Sequence, residues 1–271
     1  MRYSQLFSYV RDHLSRRPDS DPSPGAKANG KPLSVPFWKR LLDITLSLAT
    51  IAFVFPFVYL VLAPYIKIVS PRGSVLFRQE RVGLGGKLFT CLKFRTMHCG
   101  NNARAHATHV QTLIDTGVPM EKLDNYSAII PLGKFLRKTC IDELPQLFNI
   151  LRGDMSIVGP RPCMPYERDN YRDWHHERFE ALPGLTGLWQ VSGKNRLTFD
   201  QMMRLDVGYT RTLSPVLDMV IILKTPFAIL TQVRDSLHKK PLPWRPGAPV
   251  ISAMLVTENH IPENRKVLTH R

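Results

Sequence analysis

Asp142 and Glu143 stand side by side in the stretch Thr139 to Pro162, and no other pair in the chain is better placed by type and spacing to do chemistry. Thr139 reads as a helix N-cap, with Asp142 three residues on and Pro145 early in the helix. That placement sets two carboxylates where a helix dipole favours the ionised form. An ionised Asp there could act as a nucleophile or help hold a divalent cation. The plain alternative is a pair of surface acids that merely complement the dipole. Arg137, Lys138, Arg152 and Arg161 lie close by in sequence, and Gly159-Pro160-Arg161-Pro162 closes the stretch as a turn. Cations gathered around two carboxylates suit a phosphate-bearing substrate better than a plain surface.

The rest of the composition agrees with an anionic partner. The chain has 271 residues and a formal net charge of +15. Such a surplus fits nucleic acid, an anionic membrane or a phosphorylated substrate. The basic residues gather at the ends of an apolar segment and around the carboxylates, not on one recognition element, which argues against nucleic acid. Cys91, Cys99, Cys140 and Cys163 form no Cys-x-x-Cys pair, so reduced thiols in a cytosol-facing domain are expected. Cys91 and Cys99 with His106 and His109 match no common zinc spacing.

Several elements must position the carboxylates. Residues 1–35 read as a leader: a short amphipathic stretch around Leu6, Tyr9, Val10 and Leu14, then a Pro- and Ser-rich linker. Ile44 to Ile66 carries no charge and is long enough to meet a bilayer core, with Lys39, Arg40, Lys67 and Arg72 on its flanks. Pro56 sits in its middle and kinks the axis. A broken helix that enters one leaflet and returns, within residues 36–70, is the expected form; a straight spanning helix is the alternative.

The catalytic region is expected over residues 71–235. Val75 to Val82 and Lys87 to Met97 flank Gly83-Leu-Gly-Gly86 and read as a β-hairpin, not a phosphate loop. Alternation with Leu92 and Phe94 puts Lys93 and Arg95 on one face of the second strand. Residues 98–128 read as a polar insertion, with His98, His106 and His109 exposed. A charged aromatic helix is expected from Tyr166 to Phe179. A glycine-rich loop follows from Pro183, in which Lys194, Asn195 and Arg196 could meet a nucleotide or simply line a tight turn. The next helix, from Phe199 to about Thr210, carries Asp206 as either a site residue or a partner for arginine. Val216 to Leu230 is interrupted by Asp218, Lys224 and Pro226. It reads as too short for a clean crossing, and as either an interfacial amphipathic helix or a core helix. Residues 236–271 read as a tail.

Taken together, these stretches resemble the bacterial sugar transferases, specifically the monotopic polyprenyl-phosphate phosphoglycosyl transferase family. Lys39-Arg-Leu-Leu-Asp43, Phe77-Arg-Gln-Glu-Arg-Val-Gly83, Lys93-Phe-Arg-Thr-Met97 and Asp142-Glu-Leu-Pro-Gln-Leu-Phe-Asn149 carry the likeness. So do Gly153 to Pro162, Pro183-Gly-Leu-Thr-Gly187 and Leu205-Asp206, over about Trp38 to Pro226. Many members have Ser-Pro at the kink, where this chain has Phe55-Pro56.

The resemblance implies an α+β, mainly helical fold: a membrane-embedded re-entrant helix-break-helix, a cytosolic catalytic domain with a small β-hairpin, and interfacial amphipathic helices. It implies transfer of a phosphosugar from a nucleotide sugar, UDP by analogy, to polyprenyl phosphate at the bacterial inner membrane, with the catalytic domain facing the cytoplasm and UMP released. Asp142 would be the nucleophile of a covalent intermediate, and Glu143 would help hold Mg²⁺. Lys93, Arg137 and Arg161 would meet phosphates, Lys194 and Asn195 the nucleotide, and Asp206 would lie near the site. Pro56 would mark the membrane kink. A non-catalytic membrane-bound scaffold of envelope polysaccharide assembly is the competing expectation.

Overall fold

A computed structural model of the protein describes residues 34–98 and 129–238. The expected leader up to residue 33, the insertion beyond His98 and the tail beyond His238 lie outside the described residues, as do Cys99, His106 and His109. His98 is exposed. One compact unit ends at Arg234 and a second begins at Asp235. All that follows concerns the first, apart from the helical residues that run on to His238.

Two helices open the described chain: α1 (Phe37–Phe53) and α2 (Phe55–Val69), bent by 57° to one another. The break falls at Val54, and Pro56 takes the second position of α2. There its missing N–H would have no helical partner anyway, so proline starts the new helix instead of breaking an old one. Phe55 packs its ring against Tyr59, Phe94 and Phe148.

The buried side of α1 is polar. Lys39, Asp43 and Ser47 recur every four residues on one face and are all buried, while Phe37, Leu41, Leu48 and Phe53 are exposed. In water this inverted pattern would be unfavourable; against lipid it is the favourable one. The polar stripe docks the helix on the rest of the unit. Lys39 Nζ pairs with Asp218 at 2.6 Å and donates to the Val158 carbonyl and the Tyr209 hydroxyl. Asp43 accepts from Ser156 Oγ at 2.9 Å and Ile157 N at 2.8 Å. Arg40 donates to the carbonyls of Ile150 and Leu151.

Strands β1 (Leu76–Val82) and β2 (Leu88–Phe94) form the expected antiparallel hairpin, with Phe77 opposite Lys93. Gly85 and Gly86 at its turn adopt φ of 62° and 76°, a region glycine enters without strain. The chain resumes in a short α3 (Gly133–Lys138), a 3-10 turn (Ile141–Glu143) and α4 (Gln146–Arg152). Gly153, at φ 89°, ends α4, and the Asp154 amide returns to the Asn149 carbonyl.

Asn149 joins α4 to the hairpin edge. Its Oδ1 accepts from Leu92 N at 3.0 Å and its Nδ2 donates to the Thr90 carbonyl at 2.7 Å, as a neighbouring strand would. Asn149→Ala would leave the part-buried Leu92 N–H and Thr90 carbonyl without their side-chain partner, at a cost of about 1–3 kcal/mol. Denaturant unfolding of the detergent-solubilised protein checks this, and a loss under about 1 kcal/mol would show that water takes over both bonds.

Strands β3 (Ser156–Val158) and β4 (Gly184–Thr186) pair in parallel. Any Cβ on Gly159 would lie 2.1 Å from the Leu182 carbonyl, and one on Gly184 would lie 2.1 Å from Gly159 N. The glycines of the Gly159–Pro162 and Pro183–Gly187 motifs therefore serve a close backbone approach. The glycine-rich loop expected from Pro183 thus begins as a strand, followed by α6 (Leu188–Val191); a short α5 (Pro165–Arg168) precedes both. The helix expected from Tyr166 to Phe179 is also corrected. It splits into α5 and a 3-10 stretch, Asp173–Glu180, because its charged residues crowd every side and no single face is apolar.

Helix α7 (Phe199–Thr212) begins with a Thr198–Gln201 capping box and is buried from Met202 through Thr210. The last helix, α8 (Pro215–His238), corrects the expectation of a segment too short to cross. Pro215–Asp235 is long and apolar enough for a membrane span among the described residues. Asp218 does not spoil its apolar surface, because that carboxylate is turned inward to Lys39 and Tyr209. Val216, Met219, Leu223, Phe227 and Leu230 remain exposed.

Candidate active site

The carboxylates sit in the 3-10 turn that precedes α4, not in the first turn of α4 itself. Thr139 is not their N-cap. It closes α3, and its hydroxyl donates to the carbonyls of Phe135 and Leu136. Cys140 holds the start of the turn at φ 57°, a left-handed conformation that a residue with a Cβ adopts at some cost. Leu132 and Lys194 are the other described non-glycine residues with positive φ. Two of these three strained residues touch: Lys194 Nζ lies 3.7 Å from Cys140 Sγ. Strain concentrated beside an Asp-Glu pair marks a functional site more often than a structural one.

Asp142 is buried, and Glu143 is partly exposed beside it. Lys93 Nζ meets Glu143 Oε1 at 2.8 Å. Burial alone would lower the Lys93 pKa, but Glu143 and Asp142 outweigh it and hold the ammonium above its ordinary value. Arg95 shares the face of Lys93 as the alternation requires: its guanidinium stacks over Phe77, the cross-strand neighbour of Lys93. Arg137, in the last turn of α3, has Nη1 buried without a hydrogen-bond partner among the described residues. Lys194 also donates to Gln232 Oε1 at 2.7 Å, which ties the loop after α6 to α8. Asn195 follows Lys194 in a 3-10 turn, Lys194–Arg196.

Arg161 and Asp206 form a second cluster. Arg161 pairs with buried Glu167 at 2.8 Å, and its backbone N donates to Asp206 Oδ2 at 3.3 Å. Burial opposes the Arg161 charge, yet Glu167 holds its pKa above the ordinary value. Asp206 is buried and pairs with Arg178 at 2.5 Å. Burial pushes its carboxyl up to about 6 against the pull of Arg178 and Arg161. Of the two roles open to Asp206, the structure shows it as an arginine partner. Arg81 links the clusters: it donates to the Pro162 carbonyl, and its charge reaches both Arg161 and Lys93.

Glu167, Arg178, Asn149 and Asp43 all hold this arrangement in place, and composition singles out none of them. Only the four-residue recurrence of Lys39, Asp43 and Ser47 leaves a readable trace. Cys91, Cys140 and Cys163 form no disulfide among the described residues.

Behind the second cluster, His175 is buried against Trp174, Tyr171 and Phe199, and its Nδ1 accepts from Arg172 N. Burial and nearby arginines lower its pKa from 6.5 to about 3. Below pH 6.5 the unfolded chain takes up a proton that the fold refuses, so stability falls as pH drops toward 3, by about 1.4 kcal/mol per unit. His175→Asn should shrink the stability difference between pH 7 and pH 5 by about 2 kcal/mol. Denaturation at both pH values tests this, and an unchanged difference would mean His175 is protonated within the fold.

A strained turn that carries two carboxylates, with Lys93 paired to Glu143 and Lys194 beside Cys140, is a candidate enzyme site. Residues 35–232 match the family described as bacterial sugar transferase, and the chain belongs to that family. An undecaprenyl-phosphate galactose phosphotransferase of Salmonella typhimurium is 37% identical over 196 residues, covering 72% of this chain and 40% of that protein. A UDP-glucose:undecaprenyl-phosphate glucose-1-phosphate transferase of Caulobacter vibrioides is 39% identical over 207 residues, 73% of this chain and 72% of the relative. The exopolysaccharide production protein ExoY of Rhizobium meliloti is 36% identical over 189 residues, 69% of this chain and 83% of the relative. The chain thus spans about two fifths of the length of the longer relatives.

Proposed function

We propose that the protein transfers a phosphosugar from a nucleoside diphosphate sugar, UDP-linked as in the name of the Caulobacter relative, to polyprenyl phosphate. The observation that carries this reading is Asp142, buried in a strained turn with Glu143 gripped by Lys93 and Arg137 five residues upstream in α3. An Asp142 carboxylate oxygen attacks the phosphorus that bears the sugar. The bond from that phosphorus to the nucleotide oxygen breaks, and nucleoside monophosphate leaves, UMP for a UDP-sugar. An oxygen of the lipid phosphate then attacks the same phosphorus, breaks its bond to Asp142 and yields polyprenyl diphosphate sugar. Arg137, Lys93 and Arg161 orient and neutralise the non-bridging oxygens, and positioning supplies most of the rate.

The donor set fits Mg²⁺ only in part. Among the described residues no three His, Cys, Asp or Glu side chains converge on a metal position, so an ion would rest on Glu143, water and substrate phosphates. When bound, it would neutralise charge on the donor's diphosphate as the nucleoside monophosphate departs.

The apolar pair α1–α2 favours a re-entrant path. The first turn of α1 docks on β3 and α4, Phe55 at the bend packs on Phe94 and Phe148, and Tyr65 near the end of α2 donates to the Pro131 carbonyl. Start, bend and end hold to one body, whereas a spanning helix would carry its ends to opposite faces. On this reading Asp142 lies at the headgroup plane on the cytoplasmic side. Single cysteines at Ser34 and Arg72 should then react with an impermeant maleimide from that side alone.

The decisive assay mixes purified protein, Mg²⁺ and a panel of UDP-sugars with and without undecaprenyl phosphate. Lipid-dependent UMP release with one sugar establishes the reaction and its donor. Release with none, from folded membrane-bound protein, sinks the UDP assignment.

A further inference from the structure

We infer that Arg178, buried behind the Gly159–Pro162 turn, is a positioning residue for phosphate binding: together with Asp206 it fixes the backbone of Arg161 at both its N–H and its C=O. The inference rests on the proposed contact of Arg161 with substrate phosphate. Arg178 Nη2 donates to the Arg161 carbonyl at 2.6 Å and to Asp206 Oδ2 at 2.5 Å. The same Asp206 oxygen accepts from Arg161 N at 3.3 Å. Flanked by Pro160 and Pro162, Arg161 carries the only backbone N–H of that tripeptide, and Asp206 takes it. Nη1 of Arg178 donates to the Tyr171 hydroxyl at 2.6 Å and lies 3.6 Å from Met203 Sδ, which fixes the guanidinium plane.

Both charges of the Arg178–Asp206 pair have side chains 1% exposed. A buried pair of this kind contributes little net stability compared with apolar residues of the same shape, so stability alone does not explain it. What it achieves is direction. The planar fork of arginine reaches two acceptors at once, which an ammonium on a flexible stem does not. Glu167 holds the side chain of the same residue from a third direction, at 2.8 Å. Arg161 therefore meets an anion with its peptide already set, and only its two bonds to Glu167 have to be exchanged.

The test is a double-mutant cycle in the purified full chain. Arg178→Lys and Asp206→Asn are made alone and in an Arg161→Ala background, with KM for the nucleotide sugar, kcat and the unfolding midpoint measured for each. In the otherwise unsubstituted protein each change should lower kcat/KM by about a hundredfold, mostly through KM. In the Arg161→Ala background the same changes should cost less than about twofold. Equal losses in both backgrounds, or none in either, would overturn the inference. If Arg178→Lys does not fold, the isosteric Asp206→Asn decides between the same two outcomes. The cycle run on donor binding by calorimetry needs no turnover, so an inactive protein would sink the proposed reaction and leave this inference to be judged by binding.

Discussion

Asp142→Asn is expected to lower lipid-dependent nucleotide release by at least about a thousandfold. The two side chains have nearly the same shape, and Asp142 is already buried, so packing around the turn should be unchanged. What disappears is the oxygen nucleophile: an amide does not form the bond to phosphorus. Nucleotide-sugar affinity should stay within a few-fold of the unsubstituted value, since the cations of Lys93, Arg137 and Arg161 remain. Mass spectrometry gives a second readout. Protein mixed with donor alone should gain the mass of one phosphosugar, and the variant should gain none. Residual turnover within tenfold of the parent would remove Asp142 from the nucleophile role and leave direct attack by the lipid phosphate as the mechanism.

Lys39→Met should cost about 3–5 kcal/mol, the largest stability loss expected from any single change in α1. Lys39 is not at the surface at all: its side chain is 2% exposed and its partner Asp218 1%. Removing the ammonium leaves a carboxylate in the interior with Tyr209 as its remaining donor, at 2.7 Å. Removing both charges should be far milder, because two apolar side chains need no solvation. Lys39→Met combined with Asp218→Leu is therefore expected to recover more than half of the loss. Denaturant unfolding in detergent, read by tryptophan fluorescence, compares the three proteins. A single variant as stable as the parent would mean that water reaches Asp218.

Much of this is legible in the residue order. The hairpin follows from alternation around a glycine turn, and the helix from Phe199 to about Thr210 is expected and found as α7. The carboxylate pair and its cations stand out by type. Two of the elements that differ from expectation depend on a partner distant in sequence, the glycines of Pro183–Gly187 and Asp218 of α8. Thr139 looks like an N-cap, but the left-handed turn at Cys140 is imposed by packing, and no glycine or asparagine announces it. The glycines of Pro183–Gly187 look like an open loop until Gly159 is seen against them. Asp218 looks like an interruption of α8 until Lys39 is found beside it. Lys39 and Arg40 read as flanking charges at a membrane edge, yet one is an interior ion and the other caps a helix end.

That last feature bears on how the protein could be handled. Trimming the apolar helices to obtain a water-soluble catalytic fragment is a common way to study a membrane enzyme. Here the cut would remove Lys39, Arg40 and Asp43 together. Asp218 would lose its cation, the carbonyls of Ile150 and Leu151 their donor, and Ser156 and Ile157 their acceptor. Apart from Asp218, all of these lie at the foot of α4 or along β3, the two elements that run from the carboxylate turn to Arg161. The catalytic part is thus not a passenger on a detachable anchor. Extraction in detergent or nanodiscs with α1 intact is the route that preserves it.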